Sequence, residues 1–245
     1  MEPLTNHARP AQRPLQKMFT EVPGRYDIMN RILTLRLDER WRKKAADECV
    51  ADQGGTIMDL CTGTGDLAIH ISRRLNGKRK VFAIDFSQPM LGIARQKSLK
   101  YNLENISFIE ADAASLPFED ESTAVIGIAF GFRNLMFKNP DRNRFLSEIF
   151  RILCHGGRFV IVETSQPGSK LLRWFFHRYL EIIVSRLGGW LAGNKPAYRY
   201  LASSARNFYA SGQLKQLLSE TGFVIKSHTL LMGGIAAITV AEKIS

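Results

Sequence analysis

Long apolar runs are missing from this chain, and so is any dense run of one charge. No stretch approaches the roughly 20 uninterrupted apolar residues that a membrane span needs. The longest candidate, residues 171–191, is broken by Arg173, His177, Arg178, Glu181 and Arg186. Cysteine is scarce: Cys49, Cys61 and Cys154 lie far apart without metal-ligand spacing, which predicts reduced thiols, a cytoplasmic location and no metal site. Residues 1–16 contain Pro3, Pro10 and Pro14 but no apolar core of a secretory signal, so they are expected to form a flexible tail. Acidic residues are outnumbered, 23 against 34 basic, for a net charge of +11. The basic residues are dispersed, without a zinc finger, RNP motif or Lys/Arg run, which argues against nucleic acid as partner. Basicity thickens between residues 166 and 219, where Lys170, Arg173, Arg178, Arg186, Lys195, Arg199, Arg206 and Lys215 face only Glu181. Such a segment is either a solvated face or one attracted peripherally to an anionic membrane surface, each basic group then contributing about 1 kcal/mol.

What is present is ordinary globular composition, 45% hydrophobic and 23% charged, in 245 residues, enough for one α/β domain over 17–245. Apolar runs predict strands at 56–60, 80–85, 106–109, 123–130 and 158–163, joined by helices at 66–75, 87–100 and 141–154, with Ser87 as N-cap, Pro89 in the first turn and Gly156-Gly157 closing the third helix. Continuous apolar strands joined by helices imply a doubly wound parallel sheet. The rhythm breaks at the end: a helix at 211–221 precedes strands at 223–232 and 235–243, whose Gly233-Gly234 connection predicts a tight antiparallel hairpin. Two helical segments, 17–52 and 166–207, fall outside the sheet and are expected to cap its ligand-binding edge.

The first strand runs into Asp59-Leu60-Cys61-Thr62-Gly63-Thr64-Gly65-Asp66, and the second ends at Asp85. Glycines there allow positive φ or close approach of a ligand to backbone amides at a helix start, and a carboxylate about 20 residues on can accept ribose hydroxyl protons. The pattern Gly63-x-Gly65-x-x-Ala68 also fits a dinucleotide fingerprint, so an NAD-dependent dehydrogenase stays open. Asp59 beside the turn favours a cationic ligand over a pyrophosphate, and S-adenosylmethionine carries such a charge. The final antiparallel hairpin points the same way.

Further motifs carry a resemblance. Met18-Phe19, Arg25-Tyr26-Asp27-x-Met29-Asn30-Arg31 and Trp41-Arg42 precede the glycine turn. Glu110-x-Asp112-Ala113, Leu116-Pro117-Phe118 and Phe130-Gly131-Phe132-Arg133-Asn134 follow it, then Arg151 to Arg158 around Gly156-Gly157, Glu163-Thr164-Ser165 and Tyr198-x-Tyr200-Leu201. With these the chain resembles the ubiquinone/menaquinone biosynthesis C-methyltransferases. The resemblance implies a seven-stranded Rossmann-like methyltransferase sheet with a C-terminal antiparallel hairpin, S-adenosylmethionine as methyl donor, and a polyprenylated hydroquinone methylated on ring carbon. By motif, Thr64, Asp85, Asp112 and Ala113 match cofactor-contacting positions, and Asp59, Gly63, Gly65, Phe86 and Ala129 complete the candidate set. Three positions depart from the pattern: Ala129 stands where many members have Ser, His155 replaces Pro, and Thr164 replaces Phe after Glu163. The first could remove a cofactor hydrogen bond; the other two read as structural.

Carbon methylation of a hydroquinone needs a phenolate, and a phenol with a pKa of about 10 needs help to become one. Arg133 and Asn134, just past strand four, are the first candidates; arginine cannot be a base, so its expected role is to hold the phenolate or order a water. Tyr26 and Asp27 are candidates to contact, orient or deprotonate the acceptor, against a packed tyrosine and an N-capping aspartate. Tyr198 and Tyr200 are candidate substrate contacts, against plain packing. His177 and His228 read as satisfied structural histidines. Leu171, Leu172, Phe175, Phe176, Tyr179, Leu180, Ile183, Val184 and Leu187 form an apolar stripe at helical spacing, either packed on the domain or forming a groove for a prenyl tail or a membrane-facing surface. Another phenolic acceptor, a binding protein that keeps the fold without transfer, and a homodimer all stay compatible with the sequence.

Overall fold

A computed structural model describes residues 31–51, 54–191 and 193–244, and the side chains of residues 187 and 191 lie outside what it describes. The expected tail, and Tyr26 and Asp27 with it, lie outside the described residues. Helix α1 (Leu37–Val50) leads into β1 (Ile57–Leu60), α2 (Asp66–Arg74), β2 (Val81–Asp85), α3 (Gln88–Lys100), β3 (Ile106–Glu110) and β4 (Thr123–Ala129). A short α4 (Phe132–Met136), α5 (Arg142–Ile152) and β5 (Leu153–Thr164) follow. The chain then turns helical as α6 (Lys170–Tyr179), a π-helical segment (Leu180–Gly188), a single turn (Gly189–Leu191) and α7 (Lys195–Arg206) before α8 (Ser211–Glu220), β6 (Phe223–Leu231) and β7 (Ala236–Lys243).

The strands form one seven-stranded sheet in the order β3-β2-β1-β4-β5-β7-β6. β1 pairs parallel with both β2 and β4, and β7 runs antiparallel to both β5 and β6. The strand order therefore reverses between β1 and β4, and in such sheets the crevice outside the strands' C-terminal ends receives the ligand. All four residues of β1 are buried, as expected for a strand covered on both faces. One apolar layer forms around Met58, Leu60, Ile126, Phe132, Phe145 and Phe159, a second around Trp41, Ile57, Ile71, Val125 and Val160. A third, smaller cluster of Leu33, Phe176, Leu180, Val184, Tyr198, Ala202 and Ala205 belongs to the cap elements alone.

Several local expectations need correction. Gly156-Gly157 do not close α5, which ends at Ile152 and passes directly into β5. The pair sits in a bulge: Leu153 pairs with Thr123, and the register resumes only at Val125 and Arg158. An added Cβ at Gly157 would meet the Cys154 carbonyl at 2.7 Å, so the bulge folds too tightly for a side chain. Ser87 occupies the N-cap position of α3 but its hydroxyl makes no cap bond and is buried without a partner. The final hairpin is antiparallel as expected, yet its connection is longer than two residues: a 3₁₀ turn, Met232–Gly234, and Ile235 separate the strands.

Two glycines of the first turn do different work. Gly65 is left-handed at φ 83°, and an added Cβ would lie 2.8 Å from the Ala94 Cβ, so the residue lets α3 pack on the turn. Gly63 is also left-handed at φ 55°, but an added Cβ would meet nothing within 4 Å. Gly65→Ala therefore combines a left-handed penalty of about 1–2 kcal/mol with an overpacking cost of about 1–3 kcal/mol. Gly63→Ala carries the first cost only. Denaturant melts of the two variants should show Gly65→Ala as clearly the less stable; equal losses would contradict the packing role.

Candidate active site

The turn after β1 is held by two carboxylates at adjacent strand tips. Asp85 Oδ2 accepts a hydrogen bond from the Gly63 amide at 2.8 Å, and Oδ1 accepts one from the Ser87 amide at 2.9 Å. Asp59 is fully inside: its Oδ2 accepts from the Thr62 hydroxyl at 2.5 Å and from the Ala68 amide at 2.9 Å, while Oδ1 has no partner. Through Oδ2, Asp59 thus serves the turn and the start of α2. Burial pushes Asp59 up to about 7 and Asp85 up to about 6, against the usual carboxylate value near 4. Thr64 is buried too, its hydroxyl accepting from Lys97 Nζ at 2.9 Å, and the same ammonium donates to Asp66 at 2.6 Å. At the neighbouring tip Asp112 Oδ1 accepts from the Ala114 amide at 2.9 Å, with Ala113 buried beside it. Phe86 and Ala129 are half-buried at the ends of β2 and β4.

Across the switch point, Arg133 is buried at the start of α4. Its Nη1 donates to Glu163 Oε1 at 3.2 Å and to Thr164 Oγ1 at 2.8 Å, and its backbone amide donates to Glu163 Oε2 at 3.0 Å. Arg133 Nε and Asn134 Oδ1 are buried without hydrogen-bond partners. Glu163 stood in the sequence only as part of the Glu163-Thr164-Ser165 motif and was given no role, because nothing along the chain links it to Arg133. Thr164, read as a structural departure, lies in the site instead: it accepts from the arginine and lines the cavity described next.

That cavity, about 340 Å³, lies between the cap elements and the strand ends. Its walls come from Leu33, Leu35, Leu37 and Trp41 on one side, Leu172, Phe175, Phe176, Tyr179, Leu180 and Val184 on another, and Phe130, Arg133 and Thr164 at the floor. Six residues of the expected apolar stripe thus point into one pocket, while Leu171 and Trp174 of the same helix are exposed. The sequence had also not assigned Thr34, Asp38 or Arg42, which contribute polar atoms to the wall. Tyr198 is buried in the cap cluster and Tyr200 packs edge-on to Phe137; neither lines the cavity. His177 pairs with Gln166 and His228 Nδ1 with Thr239, each at 2.9 Å, while His228 Nε2 is buried without a partner. Among the described residues no group of His, Cys, Asp or Glu could hold a metal ion.

The raised carboxylates have a consequence for stability. In the unfolded chain Asp59 titrates near 3.8 and in the folded chain at about 7, so between those values the folded state binds more protons. Stability therefore falls as pH rises through that window. Asp59→Asn should flatten the melting temperature between about pH 4 and 7 relative to the parent chain; an identical pH profile would show that Asp59 does not titrate there.

The family model described as the ubiE/COQ5 methyltransferase family matches residues 6–243. The chain is 41% identical over 226 residues to a demethylmenaquinone methyltransferase of Thermus thermophilus, covering 92% of this chain and 100% of that one. It is 35% identical over 230 residues to a ubiquinone/menaquinone biosynthesis C-methyltransferase of Geotalea uraniireducens, covering 94% and 96%. In fold it is similar to an S-adenosylmethionine-dependent methyltransferase structure from Aquifex aeolicus, with a TM-score of 0.59, 19% identity and coverage of 82% and 89%. These matches remove the dehydrogenase reading that the glycine pattern had left open. The chain, with its β3-β2-β1-β4-β5-β7-β6 sheet and its apolar cavity over Arg133, belongs to the ubiE/COQ5 methyltransferase family.

Proposed function

We propose that this protein transfers a methyl group from S-adenosylmethionine to a ring carbon of a polyprenylated hydroquinone, either a demethylmenaquinol or a 2-polyprenyl-benzoquinol. The observation that carries this reading is the apolar cavity with a buried arginine at its floor. Aliphatic and aromatic walls suit an aromatic ring with an isoprenoid tail, and a guanidinium that is always charged suits a phenolate. The named relatives methylate demethylmenaquinone or serve ubiquinone and menaquinone biosynthesis.

The residues at the β1 and β2 tips fit the donor. The turn opens on free space at Gly63, beside the Asp85 carboxylate and next to the Asp112 loop. Gly63 and Gly65 would let it approach the turn closely at the start of α2, with Thr64 beside it, Asp85 would hold it through its ribose hydroxyls, and Asp112 through its adenine amino group, with Phe86, Ala113 and Ala129 packing against it. S-adenosylmethionine supplies an electrophilic methyl group. Arg133 stabilises the phenolate that makes the ring carbon nucleophilic, and Asn134, with its unpartnered oxygen, holds the water or hydroxyl through which the proton leaves. Glu163 and Thr164 keep the guanidinium in place. Tyr26 and Asp27 remain candidates for the acceptor side.

The same cap carries the proposed membrane contact. No helix among the described residues is long and apolar enough to cross a membrane. Leu171, Trp174, Phe175, Ile182 and Trp190 nevertheless lie exposed among Arg178 and Arg186, and Phe175 also lines the cavity. Aromatic groups beside basic ones suit a peripheral contact with anionic headgroups, with the cavity turned toward the lipid that holds the acceptor's tail.

Incubation of the full chain with labelled S-adenosylmethionine and a panel of short-tailed demethylquinols should give labelled ring-methylated product. Donor binding without transfer to any of them would favour a non-catalytic protein of the same fold. Arg133→Lys keeps the charge but loses the planar fork, and should lower turnover by about tenfold or more while leaving donor affinity unchanged; normal turnover would remove Arg133 from the reaction. In flotation assays the protein should rise with vesicles containing anionic lipid and not with purely zwitterionic ones. Leu171→Ser with Trp174→Ser should abolish flotation and spare activity on a short-tailed acceptor; unchanged flotation would refute the docking face.

A further inference from the structure

The cavity wall holds a second polar station, contributed by a different part of the chain from Arg133. Asp38 sits in the first turn of α1 and is only 3% exposed, yet it belongs to the cavity lining. Its Oδ1 accepts from the Thr34 hydroxyl at 2.5 Å, and its Oδ2 is ion-paired with the Arg42 guanidinium. That guanidinium in turn lies over the Phe130 ring, 5.0 Å from its centre. Thr34, Asp38, Arg42 and Phe130 all face the same space, whose other walls are mainly hydrocarbon. An ionised carboxylate has about four lone-pair sites and no proton to give. Two are engaged by Thr34 and Arg42, so the carboxylate has acceptor capacity left and no hydrogen to donate.

We propose that Asp38 accepts a hydrogen bond from a hydroxyl of the acceptor ring and thereby makes the cavity select the reduced hydroquinone over the oxidised quinone. This rests on the hydroquinone reading above. A hydroquinone carries hydroxyls at opposite ends of its ring: when one is held as a phenolate at Arg133, the other is still a donor and meets Asp38. A quinone presents carbonyl oxygens at both ends. Against Asp38 one of them would face lone pairs with lone pairs, and sites built around a hydrogen bond reject the analogue that cannot make it. The selection has a purpose, because the quinone ring is electron-poor, cannot be methylated at carbon, and would only block the cavity. Arg42, paired with Asp38 Oδ2, holds the carboxylate in place at the cavity wall.

The test is a pair of affinities, measured anaerobically with the full chain in the presence of S-adenosylhomocysteine, for one short-tailed demethylnaphthohydroquinone and for the corresponding quinone. Quenching of the cavity-lining Trp41 provides a readout that needs no turnover. The parent chain should bind the hydroquinone about tenfold or more tightly than the quinone. Asp38→Asn, whose amide can donate as well as accept, should bring the two affinities to within about twofold, mainly by tightening the quinone, and Asp38→Glu should restore part of the preference. A purely structural Asp38 would weaken both ligands alike and leave their ratio untouched, which would overturn the proposal. So would a parent chain without preference, a measurement that needs no variant to fold. If neither form binds, the hydroquinone reading itself falls; if both bind equally and methyl transfer still occurs, only the role of Asp38 does.

Discussion

Burying an arginine and a glutamate together is costly unless their hydrogen-bonding groups are matched, and the Arg133–Glu163 pair meets that condition closely enough to organise everything around it. Glu163 takes the guanidinium on one oxygen and the Arg133 backbone amide on the other, so a single carboxylate fixes both the side chain and the start of α4. Thr164 adds a third contact from the end of β5. Removing either partner would strand a buried charge, a loss of about 3–5 kcal/mol in comparable pairs. The arginine is thus held at the junction of β4, β5 and the cavity, its Nε still without a partner. A charge kept rigid in an apolar surrounding acts more strongly than the same charge in water.

On the other side of the switch point the same economy appears with carboxylates. Asp59 and Asp85 are buried at neighbouring strand tips and engage backbone amides of the turn between β1 and α2. The turn is shaped by left-handed Cys61, Gly63 and Gly65, the last of which also lets α3 approach. The parallel pairing of β1 with β2 and β4 brings these groups and Arg133 to one edge of the sheet although they are far apart along the chain. The cap then roofs that edge with hydrocarbon. Helix α1 packs into the sheet's core through Trp41, Ala45, Ala46 and Cys49, whereas the later cap helices cluster with one another and with Leu33 through Phe176, Leu180 and Val184. An apolar lid over a charged floor suits an acceptor that is greasy along its length and reactive at one end.

Much of this was legible in advance. The strands announced themselves as continuous apolar runs because a sheet covered on both faces needs them, and the antiparallel finish followed from Gly233 and Gly234. The apolar stripe from Leu171 to Leu187 was visible at helical spacing, but not its division: Leu172, Phe175 and Phe176 line the cavity while Leu171 and the neighbouring Trp174 are exposed. The π-helical segment over Leu180–Gly188 shifts the spacing partway along. Gly156-Gly157 misled, because a glycine pair after a helical pattern reads as a stop signal whether it closes a helix or allows a bulge.

By itself the sequence determined the class of sheet, the glycine turn, and the motifs that mark the family, since each depends on neighbours within a few residues along the chain. Tertiary structure alone decided where the chemistry meets. That Glu163 and Thr164 hold Arg133, that β7 inserts between β5 and β6, and that Asp38 and Arg42 share a cavity with Arg133 are all contacts between distant segments. Local spacing carries no record of such pairings, because they are set by which faces the packed sheet and its cap must bury against each other.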